Sequence, residues 1–146
     1  MHIIKKSTYT KTLALFLAFL FIIPINVNAT ETRASNYLSS YNAYPYAAGA
    51  GKVQIWFTVS GTDYMDELGA LSIQIYESTD NSNWTWVTTC SHTSYPRMLG
   101  YNDYYHSGHV DYQGRTGRYY KAYVCIWAGK DGGGDNRYFW TGSAQA

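Results

Sequence analysis

Over residues 52–60 the chain alternates with a period of two, with Val53, Ile55, Phe57 and Val59 on one phase and Gln54, Trp56 and Thr58 on the other. Only Trp56 departs from an apolar-in, polar-out pattern. Successive side chains leave a pleated backbone on opposite sides, so this run is a strand with one buried face; a helix would scatter the same residues around its axis. The rhythm recurs in Leu71, Ile73 and Ile75 against Ser72, Gln74 and Tyr76. It is strongest again over 118–127, where Tyr120, Ala122, Val124 and Ile126 oppose Tyr119, Lys121, Tyr123, Cys125 and Trp127.

Turn chemistry divides these runs. Asp80, Asn81, Ser82 and Asn83 make a polar cluster between 71–76 and a further run over 84–90, which predicts a hairpin over 77–86. A weaker strand is expected at 106–112, after a long polar and aromatic loop, and residues 113–117 turn the chain into the 118–127 strand. Residues 129–136, with Gly132, Gly133 and Gly134, are expected as a flexible loop before a last strand at 137–141. An early strand at 41–47 is confined to an edge or a bulge by Pro45. Six or seven short strands without an amphipathic helix predict an all-β fold, a small antiparallel β-sandwich, with a small barrel as the nearest alternative. There is no internal repeat and no interdomain linker, so residues 30–146 form one domain.

The first 29 residues have a different character. Lys5, Lys6 and Lys11 precede an uninterrupted apolar run over 13–23, then Pro24 and the small-residue site Val27-Asn28-Ala29. The run is about half of the ~20 residues a spanning helix needs, so a cleavable secretory signal fits better than a membrane anchor. Cleavage after Ala29 leaves 117 residues with 8 basic and 10 acidic side chains, and places the protein outside the cell with no membrane segment. A net charge of −2 on that portion removes the electrostatic case for a nucleic-acid partner. The same portion holds 15 Tyr, 5 Trp and 2 Phe but only four Leu, which favours strands over helices.

Cys90 and Cys125 are the only cysteines. An oxidising compartment admits a disulfide, which across a 35-residue separation is worth about 4 kcal/mol in the chain-entropy picture. Phase works against it: Cys125 shares its side with Lys121 and faces outward. A bridge then requires Cys90 to face outward too, with Val87 and Thr89 as the buried pair.

Few residues carry a catalytic or metal-binding pattern. His106 and His109 differ by three positions and project to opposite faces of a strand, and with His92 they make no chelating set. Asp131, Asp135 and Asn136 offer oxygen ligands for calcium without the spacing of a calcium loop, so a solvated turn is expected. Asp66 and Glu67 are sequence neighbours, whereas glycoside hydrolysis needs two carboxyls facing each other across a substrate. No nucleophile elbow, zinc-binding helix or phosphate-cradling glycine motif occurs, and Cys125 has no nearby base, so no catalytic residue, metal or cofactor is expected. A small hydrolase ranks last among the functional readings.

The outward phase of 118–127 is the feature that points to function. Tyr119, Tyr123 and Trp127 line up there, with Tyr76 and Trp56 outward on other strands, and Lys121 and Arg118 are placed to cap the rings through cation–π contact. A row of flat rings stacks on sugar faces, and it serves equally well in cross-strand packing or in a homo-oligomer interface. The expected function is therefore a non-catalytic module that binds carbohydrate or another cell-surface component through Trp56, Tyr76, Tyr119, Tyr123 and Trp127. The alternative is an extracellular structural or self-associating protein that uses the same stripe.

Three segments carry a resemblance: Met65-Asp66-Glu67-Leu68-Gly69-Ala70, Met98-Leu99-Gly100-Tyr101-Asn102 and Val110-Asp111-Tyr112-Gln113-Gly114, together with Gly129-Lys130-Asp131. In combination they resemble small secreted bacterial proteins of an uncharacterised family, a domain of unknown function, over nearly all of residues 35–146. The resemblance implies no activity or catalytic residue. The stretch from Tyr76 to Trp84 bears a looser likeness to fibronectin type III and immunoglobulin-like sandwich modules, which implies fold alone. Met65, Leu68, Met98 and Leu99 are expected to plug the ends of the sandwich; if the first two segments meet in space, they form a recognition edge.

Overall fold

The computed structural model describes residues 34–146. The expected signal segment, its cleavage after Ala29 and the alternative membrane anchor lie outside the described residues. The described residues form seven strands: β1 (Leu38–Gly49), β2 (Lys52–Ser78), β3 (Thr85–Ser91), β4 (Leu99–Gln113), β5 (Tyr119–Lys130), β6 (Gly133–Trp140) and β7 (Ala144–Gln145). A 3-10 turn, Pro96–Met98, precedes β4. The all-β expectation holds, and every strand pairing is antiparallel. Among the described residues no helix is long and apolar enough to cross a membrane.

The expected sandwich has two separate sheets; the protein has one seven-stranded sheet curled into a half-barrel. The cause is β2, which runs unbroken for 27 residues where the sequence pattern predicts short strands joined by a loop. Its first arm pairs with β1 on one side and β4 on the other, and its second arm pairs with β5 on one side and with β4 and then β3 on the other. Between the arms, Ser60 and Met65 face Tyr105 and Asp103, so four residues of β2 stand against Tyr104 alone. Extra residues on one strand bend it and increase its twist. Tyr64 and Tyr104 meet edge-on there at 5.5 Å between centroids.

The bend brings the far strands together. Tyr41 of β1 lies 5.1 Å from Phe139 of β6, and the Tyr37 hydroxyl rests against Gly133. The enclosed core is formed by the phases expected from the alternation: Val53, Ile55, Phe57 and Val59 from the first arm, Ile73 and Ile75 from the second, and Tyr120, Ala122, Val124 and Ile126 from β5, all fully buried. Met65, Leu68, Met98 and Leu99 are buried as well. Gly69 is required where β4 begins: its φ is +147°, and a Cβ would stand 2.1 Å from the Met98 carbonyl oxygen.

The glycine-rich segment differs from the expected flexible loop. β5 runs to Lys130, β6 starts at Gly133, and only Asp131 and Gly132 turn the chain, with φ of 53° and 75°. Two positive φ values in a two-residue connection are the hairpin geometry that Asp-Gly favours. Just past the other end of β6 stands Thr141, whose amide donates to the Ala122 carbonyl and whose hydroxyl accepts from the Ala122 amide, both at 2.9 Å. Pro45 sits in β1, which pairs only with β2, as an edge strand permits.

The structure corrects the disulfide. Cys90 pairs with Ile73 on the core face, while Cys125 pairs with the adjacent Ser72 and therefore projects from the opposite face. β2 also stands between the two, placing the cysteine backbones about 9–10 Å apart at ordinary strand spacing, beyond the ~7 Å a bridge tolerates. Both cysteines are free and buried. Cys125 faces outward as expected yet is covered, because the Tyr138 side chain bonds it, and burial pushes both thiols above their ordinary pKa. We predict that the unfolded, unreduced protein titrates two thiols with a disulfide-exchange reagent; a count of zero would contradict this arrangement.

Tyr120 joins the core to the turn before β5. Its hydroxyl donates to Glu77 Oε2 at 2.6 Å and accepts from the Arg115 amide at 2.8 Å. Burial, reinforced by Glu77, pushes its pKa up to about 12. Because the folded value lies above the unfolded value of about 10, the neutral phenol favours folding, fully below pH ~10 and no longer above pH ~12. Stability should therefore fall between those limits, and urea midpoints for Tyr120→Phe should show a shallower fall over the same range.

Candidate functional site

The second arm of β2, with β3, β5 and β6, presents an outer face whose order follows from strand register. In one row Trp86, Tyr76 and Lys121 stand side by side; in the next come Thr89, Gln74, Tyr123 and Trp140; then Ser91, Ser72, Cys125 and Tyr138; then Trp127 beside Asn136. Rows two residues apart are ~6.6 Å apart, so the face extends ~20 Å along β5. Side chains of one phase on four adjacent strands must share this face, which is why a cluster forms from residues distant in sequence.

The rings contact one another. Trp140 lies 4.9 Å from both Tyr76 and Tyr123, and Tyr123 stacks on Tyr138 at 5.8 Å and 26°. Lys121 Nζ sits between two indoles, 4.5 Å from the Trp84 ring and 4.4 Å from the Trp140 ring. Polar neighbours orient the rest: the Trp86 indole N–H donates to Thr89 Oγ1 at 3.1 Å, and the Tyr76 hydroxyl donates to Gln74 Oε1 at 3.2 Å. Despite these contacts Trp86, Tyr138 and Trp140 remain 55%, 56% and 49% exposed.

Four of the five expected site residues share this face: Tyr76, Tyr119, Tyr123 and Trp127. Tyr119 lies at its end, beside Ser78 and Gln145, and makes no ring contact with the cluster. Trp56 is not part of it. It projects outward from the first arm, beyond the bend, between Tyr44 and His109; it stacks on His109 at 4.4 Å and donates from Nε1 to Gln54 Oε1 at 3.1 Å. Trp84, Trp86, Tyr138 and Trp140 lie outside the expected set. Tyr138 and Trp140, two residues apart and so on one phase, are the available signal, but a last strand placed at 137–141 hides their alignment with β5.

At the other end of the face residues 65–70, 98–102 and 129–131 converge, while residues 110–113 pair with the first arm. Glu67 pairs with Tyr101 on one side and Gly129 on the other, so residues 65–70, 98–102 and 129–131 meet as neighbouring strands rather than as loops. Together with Trp127 and the Asp131-Gly132 hairpin they enclose an open cleft of about 370 Å³. The Trp127 indole lies over Gly129 and Gly134, where a Cβ would come within 2.7 and 2.1 Å of the ring, and its N–H donates to Glu67 Oε1 at 2.8 Å. Asp66 accepts the Asp131 amide at 2.7 Å, and Lys130 bonds Asp63 at 2.6 Å, which holds the Asp63 carboxyl below its ordinary pKa.

His106 bonds the Arg97 carbonyl, His92 bonds the Leu71 carbonyl and His109 stacks on Trp56. Among the described residues no group of three or more His, Cys, Asp or Glu is arranged to hold a metal ion. Asp135 pairs with Arg137 at 2.5 Å, and Asp131 contributes its backbone amide to Asp66.

Gly134→Ala should drive its methyl into the Trp127 ring and cost about 1–3 kcal/mol, whereas Gly142→Ala, with open space around it, should change stability by less than about 0.5 kcal/mol. Urea denaturation of the two variants checks this. No family model, curated protein or solved structure matches the chain.

Proposed function

We propose that the protein is a secreted, non-catalytic module that binds carbohydrate at a cell surface or in extracellular material, and that the outer face of the second arm is its platform. The observation that carries this reading is the cluster of Tyr76, Tyr123, Tyr138 and Trp140, whose rings brace one another, with Trp86 beside Tyr76 on the same face; Trp86, Tyr138 and Trp140 stay about half exposed. A monomeric protein that leaves such rings uncovered on a rigid sheet keeps an apolar surface available for contact. Fixed rings stack on sugar faces at little cost in side-chain entropy. Gln74 and Thr89 lie between the rings and supply polar atoms beside the apolar ones.

Export is supported by the basic head, apolar run and Val27-Asn28-Ala29 site. The immunoglobulin-like reading of the architecture belongs to the same proposal: the two arms pack face to face around one core, although one strand runs through both.

The test is co-sedimentation of the processed protein with insoluble glucan, chitin and peptidoglycan. Retention on at least one polymer is expected. Trp86→Ala and Trp140→Ala should each weaken it roughly tenfold, about 1.4 kcal/mol, while Trp56→Ala, on the other arm, should leave it within about twofold. Absence of retention on all three, together with a concentration-dependent dimer in sedimentation velocity, would replace this reading with self-association through the same rings.

A further inference from the structure

Lys121 holds an unusual position in the aromatic face. Its ammonium lies between the Trp84 and Trp140 rings, with Tyr76 as its cross-strand neighbour. No described carboxylate forms an ion pair with it; the pairs present join Lys52 to Asp111, His109 to Asp111, Lys130 to Asp63 and Arg137 to Asp135. None of its three N–H bonds meets an oxygen acceptor among the described residues. The nearest side chains of its face, Trp86, Tyr76, Tyr123 and Trp140, carry no charge.

Two indole faces stabilise a cation through their quadrupoles but accept no conventional hydrogen bond, so they hold the ammonium in place and leave its donors to solvent or a ligand. Positioned by rings on both sides, it is a fixed positive charge within a platform suited to stacking. The surroundings have low polarity and few competing acceptors, conditions in which a charge-assisted hydrogen bond is strongest.

We propose that Lys121 is the specificity-determining residue of the platform and receives an anionic substituent, a carboxylate or a phosphate, on the bound glycan. This deepens the carbohydrate-binding reading and rests on it. The ring that bears the anion stacks on Trp140 or Trp84 while its oxygens accept from Lys121 Nζ. The class of ligand is thus an acidic polysaccharide, either uronic-acid-bearing or phosphate-bearing.

The experiment measures binding of the processed protein to polygalacturonate, to a phosphate-bearing mannan and to a neutral soluble glucan by isothermal titration at two salt concentrations. At low salt, at least one of the two charged polymers should bind about tenfold more tightly than the neutral one, and the preference should shrink as salt rises. Which polymer it is distinguishes carboxylate from phosphate. Lys121→Met keeps an apolar stem between the indoles and should abolish the preference, bringing the affinity for the charged polymer down to that for the neutral one, and Lys121→Arg should retain it. Equal affinity for charged and neutral polymers, or an equal loss on both with Lys121→Met, would overturn the inference and leave lysine as a brace for the rings. Absence of binding to all three polymers overturns the platform reading itself, and this inference with it.

Discussion

Everything in this fold depends on one long strand, the 27 residues of β2, with partners along both sides of each arm. A buried backbone amide or carbonyl without a partner costs about as much as a lost hydrogen bond, so a strand this long persists only where neighbours cover its buried stretches. Four strands provide that cover, with β1 and β5 along successive stretches of one side and β4 and β3 along the other. The bulge at 61–64 lets the strand turn without ending. One core then serves both arms, and a change at the bend acts on the whole domain.

The alternation in sequence specified which side chains are buried, because a period of two maps directly onto a pleated strand: Val53 to Val59 and Tyr120 to Ala128 behave as that rule requires. It did not specify where strands end. Residues 61–70 break the alternation with Gly61, Tyr64 and Gly69, which local reasoning takes for a loop, yet the segment is strand because β4 supplies a tertiary partner that no local signal announces. The run of glycines failed for a related reason. Gly129 and Gly134 are there because an indole lies against the backbone, a packing requirement set by Trp127 across the hairpin, whereas composition alone suggests flexibility. The cysteines illustrate the limit of phase without register: the outward direction of Cys125 was legible, but the inward direction of Cys90 depends on the bulge between Ile75 and Tyr76, which leaves Val87 unpaired.

The two outer faces differ in how far their polar groups satisfy one another. On the first arm Asp111 accepts from Gln54 at 2.9 Å, which keeps its carboxyl below the ordinary pKa; Lys52 and His109 flank it, and Gln54 in turn accepts the Trp56 indole N–H. That network is closed, and Trp56 belongs to it as a structural ring. On the second arm the rings brace one another and the central charge has no oxygen partner among the described residues. Trp56 and Trp140 are both outward tryptophans in a sequence pattern, and only their neighbours in space separate a satisfied surface from one that remains open.

Trp127 links the platform to the cleft, and side-chain contacts around it fasten that end of the sheet. A hairpin with positive φ at Asp131 and Gly132 needs few contacts to form but many to hold still. Those contacts come from acidic side chains of β2 and its bend: Glu67 to the indole, Asp66 to the Asp131 amide and Asp63 to Lys130. Three carboxylates within five residues of one strand would repel one another on an isolated surface. Here each faces a different donor on the β5–β6 hairpin, so the acidic segment that first suggests acid–base chemistry instead fastens the hairpin and sets the angle of the ring that closes the aromatic face.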